Sequence, residues 1–121
     1  MNSNHSSAAL AFLGDGVFEL MVRKRLLESG AVKTNKLHTL AVERVNAAAQ
    51  ASAYHTIEEV CFPEEADILR RGRNANTAKA PKNMSVEQYR KATGIEALFG
   101  WLYLRGESAR LHELFDIIWN K

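Results

Sequence analysis

Glycine occurs inside two segments whose apolar residues recur at helical spacing, and in both segments it lies close to an acidic residue. The first is Leu13-Gly14-Asp15-Gly16-Val17 and the second is Gly94-Ile95-Glu96-Ala97-Leu98. Glycine inside a helix costs about 1 kcal/mol relative to alanine, so its presence needs an explanation. We expect the two helices to cross closely at their glycines and to bring Asp15 and Glu96 together. The alternative is that these glycines serve only tight core packing.

The rest of the chain also favours an all-α fold. No segment alternates apolar and polar residues long enough to indicate a strand. With 121 residues, 46% of them hydrophobic, the chain can form one compact domain. We predict a polar tail at residues 1–7 and a single domain at residues 8–121. Without a signal-like start or about 18 consecutive apolar residues, the protein is expected to be soluble, cytoplasmic and not membrane-bound.

Capping and stop signals indicate where the first helices begin and end. The first helix is predicted from about Ser7 to Glu28, with Ser6 or Ser7 as its cap and Gly30 at its end. The second begins at Thr34 or Asn35. Its buried side is expected to comprise Leu37, Leu40, Ala41, Val45, Ala48 and Ser52.

Further capping signals divide the rest of the chain into helices. Thr56-Ile57-Glu58-Glu59 has capping-box spacing and predicts a new short helix, and Pro63 begins another that stops at Gly72. A capping box at Ser85 and Gln88 opens a helix that ends near Arg105. A last helix follows, with four apolar residues expected to be buried: Leu111, Leu114, Phe115 and Ile118.

Positive charge is concentrated between Arg70 and Lys91. This stretch has seven basic residues against one acidic residue, a local balance of +6, whereas the whole chain carries +2. Residues 70–83 also break the helical pattern, which predicts an exposed basic loop. Because arginine, lysine and asparagine bind phosphate or sugar oxygens, we interpret this loop as a nucleic-acid contact rather than a solvated connection. The candidates are Arg70, Arg71, Arg73, Asn74, Lys79, Lys82 and Asn83.

The acidic pair indicates metal chemistry. Asp15 falls on a helix stripe that is mostly small or apolar, so we expect it to face inward or into a cleft. A desolvated carboxylate needs a cation or hydrogen bonds, and a bound metal would supply the first. The single cysteine, Cys61, excludes an intrachain disulfide or a thiolate metal cluster, and the four histidines lack metal-ligand spacing. The residues therefore predict a metal-dependent phosphodiesterase acting on nucleic acid.

Three groups of residues resemble the ribonuclease III family. Ala11-Phe12-Leu13-Gly14-Asp15-Gly16-Val17-Phe18-Glu19-Leu20 resembles its signature helix, and Ile95-Glu96-Ala97-Leu98-Phe99-Gly100 resembles its second acidic motif. Arg71-Gly72-Arg73-Asn74-Ala75 and Pro81-Lys82-Asn83 are typical of Mini-ribonuclease III, the bacterial form with a catalytic domain and no separate double-stranded RNA-binding domain. The resemblance extends from about Ala8 to the end of the chain.

The resemblance implies the ribonuclease III endonuclease-domain fold and a bacterial, cytoplasmic homodimer. It implies Mg²⁺-dependent hydrolysis of double-stranded RNA, with Mn²⁺ as a substitute, leaving 5′-phosphate and 3′-hydroxyl ends. Asp15 and Glu96 match the family's catalytic metal-site carboxylates. Larger members carry further acids where this chain has Ala8, Ala11 and Thr93. The Thr93 hydroxyl can orient a metal-bound water but supplies no negative charge.

The resemblance also implies a biological role, the maturation of large-subunit ribosomal RNA, and leaves the need for a ribosomal-protein partner open. The signature helices form the dimer contact in this family, which makes Phe12 and Phe18 candidates for that contact, with core packing as the alternative for each. Two other functions are considered. One is a noncatalytic double-stranded-RNA-binding or ribosome-associated domain on the same fold, and the other is a helical dimer that serves only protein interaction.

Overall fold

The structure, a computed structural model, describes residues 5–30, 33–75, 80 and 84–120. Within these ranges the chain forms six α-helices and no strand, which confirms the all-α prediction. Residues 1–4 of the predicted tail lie outside the described ranges. None of the described helices is both long and apolar enough to span a membrane. The helices are α1 (Ser7–Ser29), α2 (Thr34–Val45), α3 (Ala47–Val60), α4 (Pro63–Asn74), α5 (Val86–Leu104) and α6 (Ser108–Trp119).

Helix α5 lies at the centre and packs against α1, α3, α4 and α6. Its apolar stripe is completely buried and comprises Ile95, Leu98, Phe99 and Leu102. Phe18 of α1 contacts Phe99 and Phe115 edge to face, with ring centroids 5.4 and 5.7 Å apart. Phe18 is therefore a core residue, so of its two alternatives core packing is confirmed and the dimer contact is wrong. Phe12, the other candidate, is 85% exposed.

Local capping places α1 and α5 as the sequence predicted. The Ser6 side chain accepts a hydrogen bond from the Ala9 backbone nitrogen at 3.1 Å, and Gly30 ends α1 with φ 70°. The Ser85 hydroxyl accepts from the Gln88 nitrogen at 3.1 Å, and the Gln88 side chain accepts from the Ser85 nitrogen in return. These bonds satisfy backbone donors that the first turn leaves free.

The boundary between α2 and α3 is at Asn46, which the sequence did not reveal. Asn46 Nδ2 donates to the Val42 and Glu43 carbonyl oxygens, while its Oδ1 accepts from the Ala49 nitrogen at 2.8 Å. One side chain thus ends α2 and begins α3. The predicted new helix at Thr56 is wrong, because α3 is continuous from Ala47 to Val60. The break also resets the helix faces, so the predicted buried residues Ala48 and Ser52 are exposed.

Helix α4 continues past the glycine that was expected to end it. Gly72 is buried, and a Cβ there would lie 2.8 Å from the Ala97 Cβ and 2.9 Å from the Gly94 Cα. Gly72 therefore permits α4 to approach α5, and the helix ends only at Asn74. The predicted loop at residues 70–83 is consequently wrong for residues 70–74, which are helical. Residues 76–79 and 81–83 lie outside the described ranges.

A buried arginine joins α3, α4 and α6. Arg110 donates to both Glu65 carboxylate oxygens, at 2.8 and 2.7 Å, and to the Val60 carbonyl oxygen at 2.7 Å. The Arg110 and Glu65 side chains are only 14% and 5% exposed. Burial opposes ionisation of Glu65, but hydrogen bonds from Arg110 and the Phe62 backbone outweigh it and lower the pKa of Glu65. Nearby Cys61 has a pKa raised to about 11, chiefly by burial, so its thiol is not a nucleophile at neutral pH.

Candidate active site

Asp15 and Glu96 meet where α1 crosses α5, and two glycines make this crossing. A Cβ on Gly14 would lie 1.6 Å from the Glu96 carbonyl oxygen, and one on Gly100 would lie 2.1 Å from the Leu10 carbonyl oxygen. Real side chains cannot occupy such positions, so the helices contact each other backbone to backbone. The predicted close crossing is confirmed for this glycine pair.

The other two glycines named in the motifs have different surroundings. A Cβ on Gly16 would meet nothing within 4 Å. Gly94 faces α4 and α3, where a Cβ would lie 2.8 Å from the Leu69 carbonyl oxygen and 3.1 Å from Tyr54 Cε2. Gly94 and Gly72 thus form a second close crossing, between α4 and α5. The two crossings fix α5 from two sides.

Both carboxylates line one open cleft with a volume of about 230 Å³. Asp15 is exposed and Glu96 is partly buried. Of the two predicted positions for Asp15, the cleft is therefore correct and the interior is not. The complete lining is Ala8, Ala11, Phe12, Asp15, Tyr89, Thr93 and Glu96.

The proximity of the two carboxyl groups makes it unfavourable for both to be ionised. Burial is the largest influence on Glu96 and, with the charge and hydrogen bonding of Asp15, raises its pKa from 4.5 to about 8. At neutral pH the metal-free Glu96 therefore keeps its proton and donates a hydrogen bond to the Asp15 carboxylate. A cation in the cleft would offset the repulsion between the two charges and favour the doubly ionised pair.

The oxygen chemistry of the pair fits Mg²⁺. This ion takes oxygen ligands, often only one or two carboxylates, and retains several waters. Among the described residues, no group of three or more His, Cys, Asp or Glu side chains is placed to hold a metal. Water would therefore complete the coordination, and the open side of the cleft has room for it. A closed zinc site would need four protein ligands.

Thr93 lies on the wall of the same cleft. It is 6% exposed, and its hydroxyl donates to the Tyr89 carbonyl oxygen at 2.8 Å. The hydroxyl oxygen retains lone pairs that can accept a hydrogen bond from water in the cleft. Ala8 and Ala11 line the cleft as well, so the three positions where larger family members carry acids are together here.

Gln50 is a site residue that the sequence did not identify. Its side chain is 1% exposed, and its amide lowers the pKa of Glu96 against the stronger effects of burial and Asp15. The Gln50 Nε2 atom is buried without a hydrogen-bond partner among the described residues. The available signal was a polar residue on the stripe of α3 that also carries Tyr54 and Ile57. Detecting it required knowing that α3 begins after Asn46.

The basic candidates that the structure describes are paired with acids. Arg70 and Arg71 both contact Asp67, at 2.5 and 3.0 Å, and Arg73 contacts Glu87 at 3.5 Å. The Arg70 and Arg71 side chains are 59% and 67% exposed, and exposed ion pairs are worth at most about 1 kcal/mol. Phosphate can therefore compete for them.

Arg73 and Asn74, at the end of α4, differ in their exposure. Arg73 is more enclosed than its neighbours: its side chain is 39% exposed, and its Nε atom is buried without a hydrogen-bond partner among the described residues. Asn74 is exposed at the end of α4. Lys79, Lys82 and Asn83 lie outside the described residues.

Comparison with known proteins gives consistent matches over most of the chain. The Ribonuclease III domain model matches residues 8–107. The chain is 47% identical over 107 residues to Mini-ribonuclease 3 of Symbiobacterium thermophilum, covering 88% of this chain and 82% of that protein. It is 42% identical over 112 residues to Mini-ribonuclease 3 of Thermoanaerobacter sp., covering 93% and 79%. The crystal structure of protein FN1578 from Fusobacterium nucleatum superposes with a TM-score of 0.86 at 30% identity, covering 97% and 93%.

Proposed function

This chain belongs to the ribonuclease III family of endoribonucleases, and from that premise we propose that it hydrolyses double-stranded RNA with Mg²⁺ held by Asp15 and Glu96. One observation carries the metal assignment: the α1–α5 crossing brings two carboxyl groups together in one cleft, where burial and the neighbouring Asp15 raise the pKa of Glu96 to about 8. Such a pair has an excess of negative charge that a divalent cation neutralises. Mn²⁺ has similar oxygen chemistry and is expected to substitute.

The residues of the cleft have separate roles in this proposal. Asp15 and Glu96 hold the metal, which when bound activates a water and stabilises negative charge on the phosphate and the leaving oxygen. Neither carboxylate acts as a nucleophile. The Thr93 hydroxyl accepts a hydrogen bond from a cleft water and helps to orient it. Addition of water at phosphorus with release of the 3′ oxygen leaves 5′-phosphate and 3′-hydroxyl ends.

The exposed end of α4 is proposed to contact the RNA backbone. Arg70, Arg71, Arg73 and Asn74 occupy its last turns, and Lys79, Lys82 and Asn83 follow in the sequence. A-form RNA is recognised mainly through its shape, phosphates and 2′-hydroxyls, so contacts of this kind select a duplex without reading bases. Asp67 pairs with Arg70 and Arg71, and Glu87 pairs with Arg73, in the absence of RNA, and phosphate replaces these acids on binding.

A homodimer is proposed because α1 exposes three large apolar side chains. Phe12, Leu20 and Leu27 are 85%, 65% and 67% exposed, and they recur along one stripe of the helix. A two-fold contact through this stripe would place two clefts on one assembly, one for each RNA strand. Phe12 also lines the cleft, so the proposed contact is adjacent to the site.

The proposed biological role is the maturation of large-subunit ribosomal RNA in a bacterial cytoplasm. It is supported by the bacterial relatives named Mini-ribonuclease 3 and by the family resemblance of the basic motifs.

Cleavage of an end-labelled RNA duplex with Mg²⁺ tests the proposal. Wild type should cut, whereas Asp15→Asn and Glu96→Gln should remain folded, bind RNA and fail to cut. Thr93→Ala should reduce cleavage without abolishing it. If folded wild type binds the duplex and never cuts it with any divalent ion, the protein is a noncatalytic RNA-binding domain instead.

The RNA contact has its own test. Replacing both Arg70 and Arg71 with Gln should weaken duplex binding and lower the slope of log affinity against log salt by about 1 for each lost phosphate contact. Arg23→Gln is the matched control, since Arg23 is equally exposed and also paired with an acid, Glu19, but lies on α1. An unchanged salt slope in the α4 variant would show that this surface does not bind phosphate.

A further inference from the structure

Gln50 is a polar residue at a core position of α3. The residues on its side of the helix, Ala53, Tyr54 and Ile57, are all buried. The Gln50 Nε2 atom has neither solvent nor an acceptor in hydrogen-bonding geometry among the described residues. Burying a donor without an acceptor is unfavourable, and folded proteins rarely retain one. Packing alone does not explain this amide, since an apolar side chain of the same length would fill the space without that cost.

The polar group with which this amide interacts is the Glu96 carboxyl. Tyr54 lies one turn further along the same side of α3 and packs at Gly94 of α5, where a Cβ would be 3.1 Å from Tyr54 Cε2, so this side of α3 faces the part of α5 that carries Glu96. The amide is therefore placed to donate to Glu96 from the α3 side, and Gln50 does not belong to the lining of the cleft that Glu96 shares with Asp15. An amide donor adds no charge, so it can stabilise a carboxylate without competing with a cation for it.

We propose that Gln50 is a positioning residue for the metal site, whose Nε2–H donates to a Glu96 carboxylate oxygen and fixes the orientation of that carboxylate toward the cleft. The inference rests on the proposed function, because it requires that Glu96 holds the metal. Groups that hydrogen-bond a metal ligand fix its orientation, and their loss typically lowers metal affinity 10- to 100-fold. A Glu96 side chain without this donor keeps its rotational freedom.

Direct Mn²⁺ binding, followed by electron paramagnetic resonance on the full chain, measures this role without relying on cleavage. Gln50→Met keeps the length of the side chain and removes the donor, and it should weaken Mn²⁺ binding about 10-fold. Ile57→Val is the matched control, since it changes a fully buried residue of the same helix without touching the carboxylates. A purely structural role for Gln50 would lower the melting temperature, as Ile57→Val should, and leave Mn²⁺ affinity unchanged. That outcome would overturn the inference.

A second measurement uses the wild-type protein and does not depend on the variant folding. The chain has two glutamines, Gln50 and Gln88, and Gln88 lies in the exposed cap of α5. In a ¹⁵N-correlated spectrum, Mg²⁺ should shift the side-chain NH₂ signals of Gln50 and leave those of Gln88 in place. Saturating Mg²⁺ that moves neither pair would contradict the role of Gln50.

Failure of this inference and failure of the proposed function give different results. If wild type binds Mn²⁺, Asp15→Asn loses the binding and Gln50→Met retains it, then the metal site stands and only the role of Gln50 is refuted. If wild type does not bind Mn²⁺ at all, both are refuted. Loss of affinity in Gln50→Met and Asp15→Asn, with Ile57→Val unaffected, supports both.

Discussion

The substitution Gly14→Ala should both destabilise the protein and disable the site. The new Cβ would lie 1.6 Å from the Glu96 carbonyl oxygen, about 1.8 Å short of the 3.4 Å at which ordinary contact begins. The obstructing atom belongs to the backbone of α5 and cannot rotate away, so the helices must separate. Overpacking of a core costs about 1–3 kcal/mol and more where the surroundings cannot adjust, whereas alanine returns about 1 kcal/mol of helix propensity. We expect a net loss of about 2 kcal/mol or more in the free energy of unfolding.

Gly16→Ala is the matched control, two residues away on the same helix. Its Cβ would meet nothing within 4 Å, so the gain in helix propensity should raise stability by about 0.5–1 kcal/mol. Urea denaturation gives both free energies, and cleavage of an RNA duplex by the folded fraction reports the site. Sedimentation velocity on each variant separates any effect on association. Equal stability and equal activity of the two variants would refute the argument that α1 and α5 meet at Gly14.

Three further predictions follow from other parts of the structure. Protons compete with metal for Glu96, whose pKa is about 8. Mn²⁺ affinity, measured by calorimetry, should therefore rise about tenfold per pH unit up to pH 8 and level off above it. A flat pH profile of the affinity would contradict this. Arg110→Met should reduce the free energy of unfolding by about 3 kcal/mol, because it leaves the buried Glu65 carboxylate unpaired. In wild type, the lowered pKa of Glu65 stabilises the fold above pH 4.5, the ordinary pKa of a glutamate, and this stabilisation is lost as the pH falls through the pKa of Glu65 in the folded protein. The stability of Arg110→Met should therefore depend less on pH during acid denaturation. Phe12→Asp should convert the proposed dimer to a monomer in sedimentation without lowering helix content, since Phe12 is 85% exposed; an unaltered sedimentation coefficient would exclude that contact.

The crossing of α1 and α5 could be predicted because its glycines are costly unless another backbone approaches them. Gly14 and Gly100 fulfil that expectation at the predicted helices. The sequence could not distinguish this use of glycine from a helix end, and Gly72 was therefore misread as a stop. At Gly72 the neighbours that decide the matter come from α5, far away in the sequence.

The break at Asn46 was missed for a different physical reason. The apolar spacing before Asn46 and the alanine-rich run after it together continue a helical pattern, and asparagine is tolerated within helices. The break arises because one side chain bonds to backbone groups of both helices, a choice that only the three-dimensional arrangement reveals. Conversely, the capping-box spacing at Thr56 had no effect, since the α3 backbone already satisfies its own donors there. The same shift in register concealed Gln50 on the buried side of α3.

The contact between Gly14 and the Glu96 carbonyl has a consequence for how this protein can change during evolution. Asp15 directly follows one contact point, and the other contact point is the main chain of Glu96 itself. The relative placement of the two acids is thus set by atoms that every amino acid shares, with no variable side chain between them. Exchange of a core side chain such as that of Leu114 therefore does not alter the contact that sets this spacing. The core side chains can change without altering the spacing of Asp15 and Glu96 as long as Gly14 and Gly100 are retained.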